Sequence, residues 1–169
     1  IQTRGTWAGN IGNASPAADG VPVLMAYDAT VVLVNSRGRR EVTLSDYYTG
    51  YKKTVRAIDE LIVGIRVPRR ERRLEWFHKV GARKAQAITK VGVAMVQDNA
   101  GWRVVANSVA PVVCRCRNLE SALAGGRTFR SPTEIASILR QDVSPIDDLR
   151  STAAYRATVL SRLIYFRLI

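Results

Sequence analysis

Thr6-Trp7-Ala8-Gly9-Asn10-Ile11-Gly12-Asn13-Ala14-Ser15-Pro16, followed by Ala17-Ala18-Asp19, is the stretch whose reading decides the rest of the chain. Gly5, Gly9 and Gly12 fall here among asparagines and hydroxyl side chains, and Trp7 and Ile11 are the long side chains between them. Without a Cβ, glycine lets backbone N–H groups turn toward a ligand and approach it closely. Successive N–H groups held in that way form a concavity suited to phosphate. On composition alone a polar turn is the simpler reading. The surrounding sequence has to decide.

Moving outward, Val21 to Tyr27 reads as a short buried helix with proline in its first turn. Thr30 to Val34 and Glu41 to Leu44 form a hairpin pattern around a turn at Asn35-Ser36-Arg37-Gly38. Leu44 to Thr54 reads as a short helix or turn running into an aromatic loop, and Asp59 to Pro68 alternates as a strand that proline ends. Arg69-Arg70-Glu71-Arg72-Arg73 is a change of composition, read as a solvated linker and a domain boundary. Three strands are predicted beyond it, over 74–82, 88–97 and 102–112, the last two joined by the turn Asp98-Asn99-Ala100-Gly101. The remainder is helical. Asn118 to Ala124 stops at Gly125-Gly126, Ser131-Pro132-Thr133-Glu134 opens a second helix, and a third starts near Ser151. In that third helix Tyr155, Val159, Leu163 and Phe166 are predicted to pack in the core, with Arg156, Arg162 and Arg167 solvated.

Composition narrows the class. The 169 residues are 47% hydrophobic and 24% charged, which suits a folded chain able to bury a core. No apolar run approaches the roughly 18 residues of a membrane span, and no signal-peptide pattern opens the chain, so a cytoplasmic setting is expected. The sequence opens at Ile1 in mid-pattern, as a fragment or processed piece of something longer would. A net charge of +12 favours anionic partners. Cys114 and Cys116 suggest no disulfide framework, and with His78 they fall short of a zinc site or an iron–sulfur cluster. Ser15, Ser36 and Ser45 have no histidine partner in sequence context, and His78 reads as a strand residue with an ordinary hydrogen bond, so no catalytic residue is assigned.

The order of features now carries a resemblance. Arg4 to Pro16 with Asp19 resembles the second half of the FAD-binding domain in the flavoprotein (medium) subunit of molybdenum hydroxylases, the family of xanthine dehydrogenase and carbon monoxide dehydrogenase. Tyr51-Lys52-Lys53-Thr54 and Glu60 to Pro68 agree with it, and Phe77 to Val91 resembles the opening of that subunit's C-terminal domain. The resemblance implies an α+β chain: residues 1–70 as the C-terminal half of a flavin-binding α/β domain, then residues 74–169 as a three-stranded antiparallel sheet with a three-helix bundle. It implies that Thr6, Trp7, Ala8, Gly9 and Asn10 bind the FAD pyrophosphate, where amides and a hydroxyl can meet phosphate oxygens. Asp19 matches the family's acidic residue that contacts the FAD, Ile62 an apolar position beside the flavin, and Lys79 a lysine that reaches the cofactor. Ala8-Gly9 stands where the family carries two glycines, so a Cβ reshapes one backbone approach.

The resemblance further implies an electron-transfer subunit of an oxidoreductase. FAD would pass electrons from iron–sulfur clusters on a small subunit, fed by a molybdenum cofactor on a large subunit, to NAD or a quinone. The family's FAD domain also has an earlier half with its own phosphate motif, which these residues do not include. The chain alone is therefore expected to bind FAD weakly or not at all. The rival reading, from +12 and the arginines at 37–40, 69–73 and 115–117, is a basic nucleic-acid-binding protein. No aromatic stacking platform accompanies that charge. A second rival is a subunit-docking protein with no flavin activity of its own.

Overall fold

Thr6 turns the glycine-rich stretch into a helix. In the computed structural model, which describes residues 4–169, Thr6 stays extended while its Oγ1 accepts the Gly9 N–H at 2.9 Å, and α1 (Trp7–Gly12) starts directly after it. A hydroxyl cap of this kind satisfies an amide that the helix leaves open. The composition-based turn is thus one and a half turns of helix, anchored by buried Ile11. The predicted buried helix follows as α2 (Gly20–Ala26), which sinks Val21, Pro22, Met25 and Ala26.

β1 (Thr30–Asn35) and β2 (Gly38–Thr43) pair from Thr30↔Thr43 to Asn35↔Gly38. Their turn tightens to Ser36-Arg37, because Asn35 Oδ1 accepts the Arg37 N–H at 2.9 Å and Gly38 takes a φ of +145°. α3 (Leu44–Tyr47) leads into the small hairpin of β3 (Tyr48–Gly50) and β4 (Lys53–Thr54). β5 (Leu61–Arg66) then returns antiparallel beside β1, giving the order β2-β1-β5.

The second sheet is built from β6 (Arg72–Gly81), β7 (Thr89–Asp98), β8 (Gly101–Asn107) and β9 (Cys114–Arg115), in that order and all antiparallel. Sequence reading gave three strands and ran the third to Val112. That strand stops at Asn107, Ser108 takes a φ of +64°, and the chain loops back so that Cys114 and Arg115 pair with Ala106 and Val105. The three predicted helices are α4 (Arg117–Ala124), α5 (Pro132–Leu139) and α6 (Ala153–Leu168). Among the described residues no helix is long and apolar enough to cross a membrane.

Strand β7 reads as a continuous apolar run because both of its faces are buried. Ala94 and Val96 face a core that also holds Ile11, Val21, Met25, Leu33 and Tyr47. Val91, Val93 and Met95 face a second core with Leu119, Ile135, Leu160 and Ile164. The first of these cores is shared between the two halves of the chain.

Two readings of charge need correction. Arg69 to Arg73 is not simply a solvated linker. Arg70 Nη1 lies 2.9 Å from Asp28 Oδ2, and Arg72 donates to the Pro68 carbonyl at 2.8 Å while stacking 4.1 Å above the Tyr27 ring. In α6 the fully buried stripe is Arg156, Leu160 and Ile164; of the predicted residues Val159 and Leu163 pack at the margin of the second core, and Arg162 and Arg167 are exposed as expected. Arg156 is buried because Ser108 O and Asp148 Oδ1 accept its guanidinium at 2.5 and 2.6 Å, whereas Tyr155 and Phe166 are 43% and 67% exposed. Helical spacing alone cannot choose between two adjacent stripes when an arginine has buried partners.

Candidate flavin-binding cleft

The amino end of α1 and the start of α2 border an open cleft of about 690 Å³. Thr6, Trp7, Asn10, Ser15 and Asp19 line it from the first half of the chain, and Ile88, Thr89 and Arg150 from the second. The first-turn amides of Trp7 and Ala8 have no acceptor within their helix. Gly9 is bound to the Thr6 hydroxyl, and a Cβ there would lie 3.0 Å from that oxygen.

The loop carrying Asp19 is held from the second half. Asn107 Nδ2 donates to the Ala18 carbonyl at 2.9 Å, and the Ser108 N–H to the Pro16 carbonyl at 2.8 Å. Asp19 is then fixed at both oxygens. Lys79 Nζ lies 2.6 Å from Oδ2, and the Thr89 hydroxyl donates to Oδ1. Lys79 reaches it because strand alternation turns Lys79 to the opposite face from His78. A register shift between Val80 and Gly81 pairs Gly81 with Thr89 and turns the Thr89 hydroxyl toward Asp19, away from the face of Val91 and Val93.

The eight residues singled out by sequence do not all meet. Thr6, Trp7, Asn10 and Asp19 line the cleft, and Lys79 joins through Asp19. Ala8 and Gly9 are in the same first turn of α1 without lining the cleft. Ile62 stands behind α1, where a Cβ on Gly12 would be 3.6 Å from its Cδ1, and packs against the first core. Sequence reasoning missed Thr89, Arg150 and Asn107. Strand alternation would put Thr89 on the face of Val91, so only the bulge in the fold brings it to Asp19, and nothing local marked the other two.

Trp7 is 57% exposed, yet its ring rests on the backbone of α2. A Cβ at Gly20 would come within 2.2 Å of its Cζ3. Gly20→Ala is therefore expected to eject the ring, shifting the Trp7 component of fluorescence toward that of solvated tryptophan. Stability should change by only about 0.5 kcal/mol, since the side chain is largely exposed. A Trp7 emission identical to the parent's would contradict this packing.

The cleft offers phosphate chemistry: helix amides, the Thr6 hydroxyl and the Asn10 amide together suit the oxygens of a pyrophosphate. It offers little else. Among the described residues no group of three or more His, Cys, Asp or Glu could hold a metal ion. Burial pushes the Cys114 thiol up to about 12, and the fully buried Cys116 thiol rises well above its ordinary value. His78 lies on β6 and stacks on Trp76, with ring centroids 5.7 Å apart.

Comparison with known proteins identifies the family. Residues 1–70 match the family model described as the FAD binding domain in molybdopterin dehydrogenase. Residues 76–168 match the CO dehydrogenase flavoprotein C-terminal domain. The carbon monoxide dehydrogenase medium chain of Hydrogenophaga pseudoflava is 26% identical over 97% of this chain and 59% of its own length. The nicotinate dehydrogenase FAD-subunit of Eubacterium barkeri is 34% identical over 60% of this chain and 36% of its own. The solved carbon monoxide dehydrogenase from Hydrogenophaga pseudoflava that lacks the Mo-pyranopterin moiety superposes with a TM-score of 0.84 at 27% identity, covering 97% of this chain and 59% of that one. The chain belongs to the family of FAD-binding medium subunits of molybdenum hydroxylases. It spans 59% of the length of that first relative.

Proposed function

We propose that these residues form one wall of the FAD site in the electron-transfer subunit of a molybdenum-containing hydroxylase or dehydrogenase. One observation carries this reading: the α1 amino end, Asp19 and Thr89, drawn from both halves of the chain, line the same cleft, and Lys79 is bound to Asp19. In this reading the Trp7 and Ala8 amides, the Thr6 hydroxyl and Asn10 hold the pyrophosphate, and Gly9 keeps the Thr6 cap close. Asp19 accepts hydrogen bonds, and Lys79 balances its charge as a movable point charge. Ile62 supports α1 from behind. Bound FAD supplies the redox chemistry, taking up electrons and releasing them to an acceptor.

The partners in this reading are a molybdenum-cofactor large subunit and an iron–sulfur small subunit, with NAD or a quinone as acceptor, in the cytoplasm. The nucleic-acid alternative is weakened because at least one arginine of each cluster pairs with an acid of this chain. Arg40 pairs with Glu60 at 2.6 Å, Arg70 with Asp28 at 2.9 Å and Arg115 with Glu120 at 2.7 Å.

Asp19→Asn tests the reading. It removes a charged acceptor worth about 1.5–3 kcal/mol to a good hydrogen bond, so FAD affinity in a fluorescence titration should fall roughly tenfold. An unchanged affinity would remove Asp19 from the site.

A further inference from the structure

Among the described residues the outer edge of β6 is unpaired, since β6 ends the order β6-β7-β8-β9. On the β6 face toward α6, Trp76 and His78 stack with their planes 14° apart. Across from them α6 presents Val159, Leu163 and Phe166, and together with Arg162 and Arg167 they enclose a groove of about 480 Å³. No acidic residue lines the groove, and α6 carries three arginines and no acid along its 16 residues.

We propose that this groove and the β6 edge receive an extended acidic segment of a partner protein, added as a fifth strand. A free edge offers a row of backbone donors and acceptors that only another strand satisfies in full. A strand added about 4.8 Å outside β6 lies over the groove, and strand alternation turns every second side chain toward α6. Of the side chains turned toward α6, apolar ones cover Leu163 and Phe166, and acidic ones two positions before or after them meet Arg162 and Arg167. The charge selects the partner. A second copy of this chain would bring another surface of a +12 protein against the same arginines. The groove lies on the opposite face of β6 from Lys79, so the assignment stands apart from the flavin reading.

The test uses the 169-residue chain and a fluorescein-labelled ten-residue peptide whose every-second positions carry valine or phenylalanine flanked by glutamate, with threonine between them, beside its lysine counterpart. The glutamate peptide is expected to bind with a Kd of about 10–100 μM at low salt and to protect β6 amides from hydrogen exchange. The Arg162→Glu/Arg167→Glu variant should bind it at least tenfold more weakly and accept the lysine peptide instead. Both positions are exposed, so circular dichroism and the FAD titration should match the parent's. No binding up to 1 mM, equal binding of both peptides, or binding without β6 protection would each overturn the proposal.

Discussion

Asp98→Ala is expected to lower the unfolding free energy by about 3 kcal/mol, because it leaves a buried guanidinium without its main counter-charge. The Asp98 and Arg103 side chains are 1% and 3% exposed. Both terminal nitrogens of Arg103 donate to the carboxylate, one of them at 2.6 Å. Arg103 keeps the Gly101 carbonyl at 2.9 Å, the Ala26 carbonyl at 3.2 Å and Asp28 at 3.4 Å, which places the loss at the lower end for a broken buried pair. Ala26 and Asp28 belong to the first half of the chain and Arg103 to the second, so the variant loosens the contact between them.

The same pair predicts a pH dependence. The Arg103 hydrogen bonds hold the Asp98 carboxyl at about 2, against an ordinary 3.8. A carboxyl lowered on folding contributes stability that is fully present above its unfolded value and is lost as pH falls through the folded one. Stability should therefore decline from about pH 4 toward pH 2, and Asp98→Asn should flatten that decline. It will not abolish it. Glu60 is also held near 2, chiefly by Arg40. At Asp148 burial pushes upward, but the Arg150 amide and the Arg156 guanidinium overcome it and bring the carboxyl to about 2. A urea midpoint for Asp98→Ala within error of the parent's, or an unaltered acid slope for Asp98→Asn, would contradict the account.

Gly92→Ala is expected to cost about 2–3 kcal/mol and to weaken FAD binding with it. Gly92 stands opposite Asn107 in the β7–β8 ladder, and a Cβ there would come within 2.1 Å of Asn107 Oδ1. Asn107 is fully buried and holds the Ala18 carbonyl at 2.9 Å, next to Asp19. The added methyl drives Asn107 from its place and frees the loop that carries Asp19. In a double-mutant cycle, Gly92→Ala should cost less once Asn107 is already alanine, since the clash is then gone. Strictly additive losses in denaturation would show that Gly92 and Asn107 do not act together.

Much of this architecture is written locally. Pro22 and Pro132 in first turns and the apolar run of Val91 to Val96 each act within a few residues, and each element they mark is present. What the sequence hid depends on distant partners. Arg156 reads as solvated until Ser108 and Asp148 are brought to it, and Arg70 reads as linker until Asp28 is. The cleft divides in the same way. Thr6 to Asn10 and Asp19 are legible as a motif, whereas Arg150 and Asn107 belong to the site only through the fold.

The central claim is that the α1 amino end and Asp19 together face bound FAD. Titrating the ¹⁵N-labelled 169-residue chain with FAD, and following backbone amide shifts, tests it directly. The account predicts weak, saturable binding, with the largest shifts at the Trp7, Ala8 and Gly9 amides and at Asp19 and Thr89. Saturable shifts centred away from these residues would contradict it.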